Sequence, residues 1–251
     1  MPRKIDLNKV RAVEHLNSTT LRFGIGEEKE VLGQIRDYRD DVVVGGLDPL
    51  KVEPKVNMTR WKWGRHPTNI EIALKTDADK VTNLRQIGEV AKLEAPDFDF
   101  NVYGREPQVV EGRATGERGE LEIELVLKSK PATNVFEWTV NTPDLEWFYQ
   151  PALTQAEIDE GASRPENVTG SYAVYSKTSS EASVDPIVTP ANVHRVGMKS
   201  KAFHVFRPEL TDGDGNKSWG ELHYENGILS VRIPDAIYNN PNTNWVGFRI
   251  K

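Results

Sequence analysis

The chain reads as an all-β protein, an antiparallel β-sandwich or jelly roll with an irregular or partly helical N-terminal segment, and three observations predict this. From Val56 onward apolar residues recur at alternate positions, in VNMTRWKW, NIEIALK, LEIELVLK and VFEWTV and again in SYAVYSK, AFHVFRP, SWGELHY, ILSVRIP and NWVGFRI. Gly, Pro, Asn and Asp break these runs at short intervals, the spacing of strands joined by turns. Finally, 6 Trp, 8 Phe and 7 Tyr supply core volume that a hydrophobic content of 37% would otherwise lack.

Residues 1–50 differ from the rest, with few aromatics and mixed charge. Val31, Leu32, Ile35 and Tyr38 recur at helical spacing, which predicts a helix around Glu27 to Tyr38, and Gly24, Gly26, Gly45 and Gly46 bracket it. Two roles stay open for 1–50: a lead-in packed on the main domain, or an arm reaching a neighbouring subunit. Residues 51–251 then form the β-sandwich domain. KSKPAT gives a possible split near 128–131, which an ordinary inter-strand loop explains equally well.

LEIELVLK is the clearest strand. Leu121, Ile123, Leu125 and Leu127 share one face, while Glu120, Glu122 and Glu124 share the other, which the pattern turns toward water. In VFEWTV, Phe136, Trp138 and Val140 point to the core. The next run holds Trp147, Phe148 and Tyr149, and alternation leaves two arrangements. Either Trp147 and Tyr149 form an exposed platform over a buried Phe148, or they are buried and Phe148 covers an interface. Beyond them lies an acidic insertion in which Thr154 and Glu157 are spaced as a capping box, Gly161 stops the short helix and Pro165 prevents its return. SKTSSEASVDPIVTPANV, residues 176–193, has the composition of a long surface loop.

Few kinds of chemistry remain open. The chain contains no cysteine, so disulfides, thiolate metal sites and thiol catalysis are excluded. A net charge of −6 argues against nucleic acid or an anionic membrane surface as partner. MPRKIDLNKVRAVEHLNS lacks the apolar run of a signal peptide, and no later stretch is long enough to span a bilayer, so a cytosolic origin is expected. N-x-[ST] patterns at Asn17, Asn57, Asn167 and Asn216 accordingly read as polar turns.

Asp212, Asp214 and Asn216 alternate as in the first half of a calcium loop. Lys217 stands where the loop needs glycine and His223 where it needs the bidentate acid, so a hairpin turn is the better reading. His15, His66, His194, His204 and His223 form no close ligand pair; His204 reads as an ordinary strand residue, and His223 lies opposite in phase to Leu222 and Tyr224. Glu137, Glu146, Glu221 and Asp235 are candidate carboxylates for a glycosidase, with nothing local to tune them. No catalytic residue, cofactor or metal site is assigned. The candidate contact surface is Trp147, Tyr149, Glu157, Asp159, Glu160 and Arg164.

The ordered phrases FYQPALT, RPENV, GSYAVY, KAFHVFRP and WGEL, within residues 120–234, resemble a family of β-rich proteins encoded by tailed bacteriophages and environmental bacterial genomes. The resemblance implies a virion structural protein without catalytic residues, assembled in the host cytoplasm. The function expected is a capsid decoration or cement protein stabilising the head lattice, with a tail or head-to-tail component as the nearest variant. Its partners would be the major capsid protein or other virion subunits, in a homo-oligomer, with neither nucleic acid nor membrane bound. A carbohydrate-binding β-sandwich module is the competing class, and an enzyme with a cleft gathering acids or histidines is the third.

Overall fold

A computed structural model describes residues 14–25, 28–31, 34–37, 40–46, 51–62, 66–76, 81, 83–105, 109–110, 113–114, 120–177, 201–240 and 245–250. In chain order the strands begin with β1 (Glu14–Asn17), β2 (Thr20–Ile25), β3 (Glu28–Val31), β4 (Gln34–Asp37), β5 (Asp40–Val44), β6 (Lys55–Lys62) and β7 (His66–Leu74). After these come β8 (Asn83–Ile87), β9 (Val90–Glu94), β10 (Phe98–Arg105), β11 (Val109–Val110), β12 (Arg113–Ala114), β13 (Glu120–Leu127) and β14 (Val135–Asn141). The next elements are β15 (Leu145–Gln150), the short helix α1 (Gln155–Asp159), β16 (Ser171–Ser176) and β17 (Lys201–Val205). The last are β18 (Glu209–Asp212), β19 (Lys217–Trp219), β20 (Glu221–Glu225), β21 (Ile228–Arg232), helix α2 (Asp235–Tyr238) and β22 (Trp245–Ile250). The protein is all-β, and its sheets are antiparallel.

Two compact units divide the chain: Met1–Asn141 with Pro208–Lys251, and Thr142–Arg207. The first holds an eight-stranded sheet, ordered β1-β2-β5-β6-β7-β14-β21-β20, and a seven-stranded sheet, ordered β19-β18-β22-β13-β10-β9-β8. Alternation buries one face of each. In the eight-stranded sheet Leu21, Phe23, Val42, Val44, Val56, Trp138, Leu229 and Val231 are buried; in the seven-stranded sheet Leu93, Phe100, Val102, Ile123 and Leu125 are. Of the three β14 residues expected inward, Trp138 and Val140 are buried and Phe136 is half-buried.

Within the segment expected to be helical, the described residues 28–31 and 34–37 are strand instead. β3 pairs antiparallel with β4, with Glu28 opposite Asp37 and Val31 opposite Gln34. Gly33 lies in the middle of the expected helix. Gly costs a helix interior about 1 kcal/mol, and a three-turn helix is short enough for pairing to win. Sheet pairing also crosses the boundary expected at residue 50: β2 pairs with β5, and β5 with β6, so these N-terminal strands share one sheet with β6 and β7. Residues 128–131 lie in the connection from β13 in one sheet to β14 in the other.

The β13 glutamates differ from their expected exposure as well. Glu122 is 0% exposed and accepts a 2.8 Å hydrogen bond from the Tyr103 hydroxyl, its direct neighbour on β10. Glu124 accepts a bond from Asn101 Nδ2 at 3.0 Å. The cause is the neighbouring strand: Tyr103 and Asn101 of β10 stand directly opposite Glu122 and Glu124 and supply the hydrogen-bond donors. On the same layer Asp99 sits 2.8 Å from both Lys92 and Lys128. Desolvation pushes the Asp99 carboxyl up, but hydrogen bonds from Lys128 and Lys92 more than offset it and hold the group below the usual range.

Candidate functional site

The second unit is a three-stranded antiparallel sheet, β15-β16-β17, with α1 in the connection between its first two strands. β15 and β16 pair without a break, from Leu145 opposite Ser176 to Gln150 opposite Ser171. Alternation therefore places Leu145, Trp147, Tyr149, Tyr172, Val174, Phe203 and Val205 on one face. Trp147 is the hub of that face. It meets Tyr172 and Phe203 edge-on, at centroid separations of 5.9 and 5.7 Å, and its indole N–H donates to Thr142 Oγ1 at 3.0 Å. Such a half-buried ring is a packing element, with its polar handle already used.

Tyr149 stacks at a tilt on Tyr172, 5.4 Å away, and is 52% exposed. Phe148, on the opposite face, touches Tyr175 edge-on and is 45% exposed. Neither expected arrangement of the three aromatics holds. Phe148 does not enter a core, and Trp147 does not share the exposure of Tyr149. Trp147 is covered by Tyr172 and Phe203, from β16 and β17, whereas Tyr149 meets Tyr172 and Phe148 meets Tyr175.

The acidic insertion folds as its spacing predicts. Thr154 Oγ1 accepts the Glu157 N–H at 3.3 Å, and Glu157 Oε2 accepts the Thr154 N–H at 2.7 Å, completing the capping box. These Thr154 bonds, backbone first and then hydroxyl, lower the Glu157 carboxyl from its usual value. Gly161, at φ +90°, ends the helix. Asp159 accepts from Gln155 Nε2 at 2.8 Å, Glu160 is the C-cap, and the Arg164 guanidinium donates to the Pro151 carbonyl, which ties the turn back to the end of β15. Glu157, Asp159, Glu160 and Arg164 thus share one exposed loop, with Ile158 49% exposed among them. Ile158 is the exposed residue that helical position did not single out, and Phe148 was expected at the surface only in the second arrangement.

A second pair is invisible in the sequence because its members lie 33 residues apart: Ser171 Oγ is 2.7 Å from His204 Nε2. The Ser171 hydroxyl has one proton, and it is also 2.5 Å from the Val168 carbonyl, which only accepts. Donation to that carbonyl makes His204 Nε2–H the donor to Ser171 and leaves the lone pair on Nδ1, which has no hydrogen-bond partner among the described residues. That tautomer cannot take the serine proton, and Ser171 is 0% exposed, so the pair joins β16 to β17 instead of forming a nucleophile. His204 remains the strand residue it was expected to be.

Burial, aided by nearby Lys201, lowers the His204 pKa from 6.5 to about 4. Between these values the unfolded chain binds a proton that the folded chain refuses, so this contribution falls as pH falls below about 6.5 and is intact above it. Hydrogen exchange of the Ser171–Ser176 amides should accelerate from pH 6.5 to 5 relative to its intrinsic pH dependence. The His204→Gln variant should lack that component, and equal profiles for the two proteins would contradict the assignment.

Asp212, Asp214 and Asn216 and the carboxylates Glu137, Glu221 and Asp235 belong to the first unit. Asp212 Oδ1 accepts the backbone N–H groups of Asp214 and Asn216 at 3.0 and 2.8 Å, and Oδ2 accepts Asn216 Nδ2 at 2.9 Å. The Asn216 side chain is the main cause of a lowered Asp212 pKa, though burial opposes it. With Gly215 at φ +83°, this is the expected turn, although it joins β18 to β19 and not AFHVFRP to SWGELHY. Asn167 and Asn216 lie in turns and Asn17, the last residue of β1, accepts the Thr19 N–H of the turn that follows, whereas Asn57 is within β6. Glu137 pairs with Lys75 at 2.8 Å, and Asp235 with Arg232 at 2.9 Å. His223 is exposed and Leu222 buried, as their phase requires. Residues 178–193 of the expected surface loop lie outside the described residues.

Among the described residues no group of three or more His, Asp or Glu could hold a metal ion, and no helix is long and apolar enough to cross a membrane. Compared with protein-family models, curated proteins and solved structures, the chain matches none.

Proposed function

We propose that the protein is a structural, non-catalytic component of a tailed-bacteriophage virion, a decoration protein that stabilises the head lattice by binding the major capsid protein. In this reading the two sheets of the first unit are a sandwich that serves as the body, and Thr142–Arg207 is the docking element. The observation that carries it is the exposure of Phe148, Tyr149 and Ile158 on a unit whose acidic turn is fixed by a capping box and by Arg164. Exposed aromatic and aliphatic side chains on a unit with an acidic turn are the composition of protein-binding surface, and Phe148 and Tyr149 offer it on opposite faces of the sheet. A repeated subunit makes such patches effective together even where each binds modestly.

Mass spectrometry of purified particles should find the protein at a copy number commensurate with the capsid lattice. Replacing Phe148 and Ile158 by Ser should lower its occupancy about tenfold while the isolated protein stays folded, since burying two such side chains contributes more than about 1.4 kcal/mol. Absence from particles removes the proposal, and full occupancy by the double variant removes the docking role of this unit.

Tyr149 favours one other reading, a carbohydrate-binding module, because it is half-exposed and braced on Tyr172. Trp147 adds no platform to it, being engaged edge-on with Tyr172 and Phe203. Glycan-array binding that Tyr149→Ala abolishes would favour that alternative.

A further inference from the structure

Asn226–Gly227 is the one Asn–Gly step in the sequence. It forms the turn between β20 and β21, which pair without a break from Glu221 opposite Arg232 to Glu225 opposite Ile228. The turn is held at two points: the Glu225–Ile228 pair closes it, and the Gly227 carbonyl accepts the Val140 N–H of β14 at 2.7 Å. Both leave out the same two groups. Asn226 is exposed, and among the described residues neither its carboxamide nor the Gly227 N–H makes a hydrogen bond.

Those are the two groups that react together when an asparagine deamidates. The main-chain nitrogen of the following residue, once a base has taken its proton, attacks the side-chain carbonyl carbon. A C–N bond forms and closes a cyclic imide, while the bond to the side-chain nitrogen breaks and ammonia leaves. Water then opens the imide at either carbonyl, giving aspartate or isoaspartate, and nothing is oxidised or reduced. Glycine suits the attack because no Cβ crowds its nitrogen. Ring closure needs the Asn226–Gly227 peptide turned out of its hairpin conformation. β20 ends the eight-stranded sheet with β21 as its one strand partner among the described residues, so this hairpin tip can open while the inner strands stay paired.

We propose that Asn226 is a self-modification site, converted with solvent water to aspartate and isoaspartate, and that the isoaspartyl form loosens β20 from β21. The two products act differently on the turn. Aspartate leaves the backbone unchanged, and Asp-Gly suits the same two-residue turn as Asn-Gly. Isoaspartate routes the main chain through the side chain and adds a methylene between the two strands. A two-residue turn sets the register of its hairpin and has no slack for the extra atom, so the Glu225–Ile228 pair and the Gly227–Val140 bond cannot both be kept. The edge strand bears the loss. The inference stands on the chemistry of this turn and does not need the particle assignment, which is tested separately by particle composition.

The test incubates the full chain in mildly alkaline heavy-oxygen water, folded and in urea, and maps its peptides by mass spectrometry with electron-transfer fragmentation. The folded chain should convert Asn226 to both products, with the label in the new carboxyl. Its rate should trail that in urea by well under about a thousandfold, the least protection that global unfolding would impose. In the separated isoaspartyl form, amide exchange in Glu221–Glu225 should be at least about tenfold faster than in the unmodified chain, whereas Asn226→Asp should stay within about threefold. Asn226→Gly keeps a turn sequence and should show neither conversion nor faster exchange, which ties the effect to the side chain. Protection of Asn226 by about a thousandfold or more, conversion spread evenly over the other asparagines, or unchanged exchange in the isoaspartyl form would overturn the proposal.

Discussion

Replacing Trp138 by alanine should lower the unfolding free energy by about 3 to 5 kcal/mol, the range for emptying a large aromatic site in a packed core. Trp138 heads the largest fully buried side chains and sits on β14, opposite Leu74 of β7 on one side and Leu229 of β21 on the other. Leu74 and Leu229 are themselves buried, so the cavity would open where three strands meet and none could close it alone. Against a total stability of about 5 to 15 kcal/mol for an ordinary domain, this loss leaves the sheet near its limit. Urea denaturation at equilibrium measures it, with the midpoint falling and the slope unchanged. A loss under about 1 kcal/mol would mean that the β7–β14–β21 packing is not where the core derives its stability.

Gly45→Ala should be nearly as damaging although it adds only one methyl group. Gly45 has φ +98°, and a Cβ built there would lie 2.0 Å from the Thr19 carbonyl oxygen and 3.1 Å from its carbon. The obstacle is backbone and cannot rotate away. Gly45 N–H also donates to Lys55 O at 2.8 Å, and the Thr20 hydroxyl donates to Gly46 O at 2.5 Å, so a shift of this turn disturbs both the β5–β6 connection and β2. Left-handed strain and the displaced main chain together should cost about 3 kcal/mol. Thermal and urea unfolding of the variant provide the check; stability within about 1 kcal/mol of wild type would show that the chain does not hold Gly45 against Thr19.

Local chemistry made some of this fold legible. Asn226 and Gly227, at φ 50° and 78°, make the two-residue turn between β20 and β21 that an Asn-Gly dipeptide favours. The Thr154–Glu157 box needed only residues three apart. Position in a sheet is different, because neighbours come from distant sequence. Glu122 looks solvent-facing within LEIELVLK, and the hydroxyl that it accepts from belongs to Tyr103 on β10, a strand that the local pattern does not place beside it. Trp147, Phe148 and Tyr149 are adjacent, yet their unequal exposure depends on Tyr172 and Phe203, supplied by β16 and β17. The helix expected around residues 27–38 failed for a related reason: a weak local period yielded to pairing between β3 and β4.

The pairing of β14 with β21 also sets a timetable for synthesis. Asn134 Nδ2 bonds the Ile233 carbonyl across 99 residues, and Phe136 lies opposite Val231. At about 5 to 20 residues per second, one side of β14 emerges from the ribosome roughly 5 to 20 seconds before its partner strand exists. During that interval Thr142–Arg207 emerges whole and can close its own local sheet, while the edge next to Trp138 waits. The nascent chain is therefore most prone to mispair after its second unit has folded and before Pro208–Lys251 arrives.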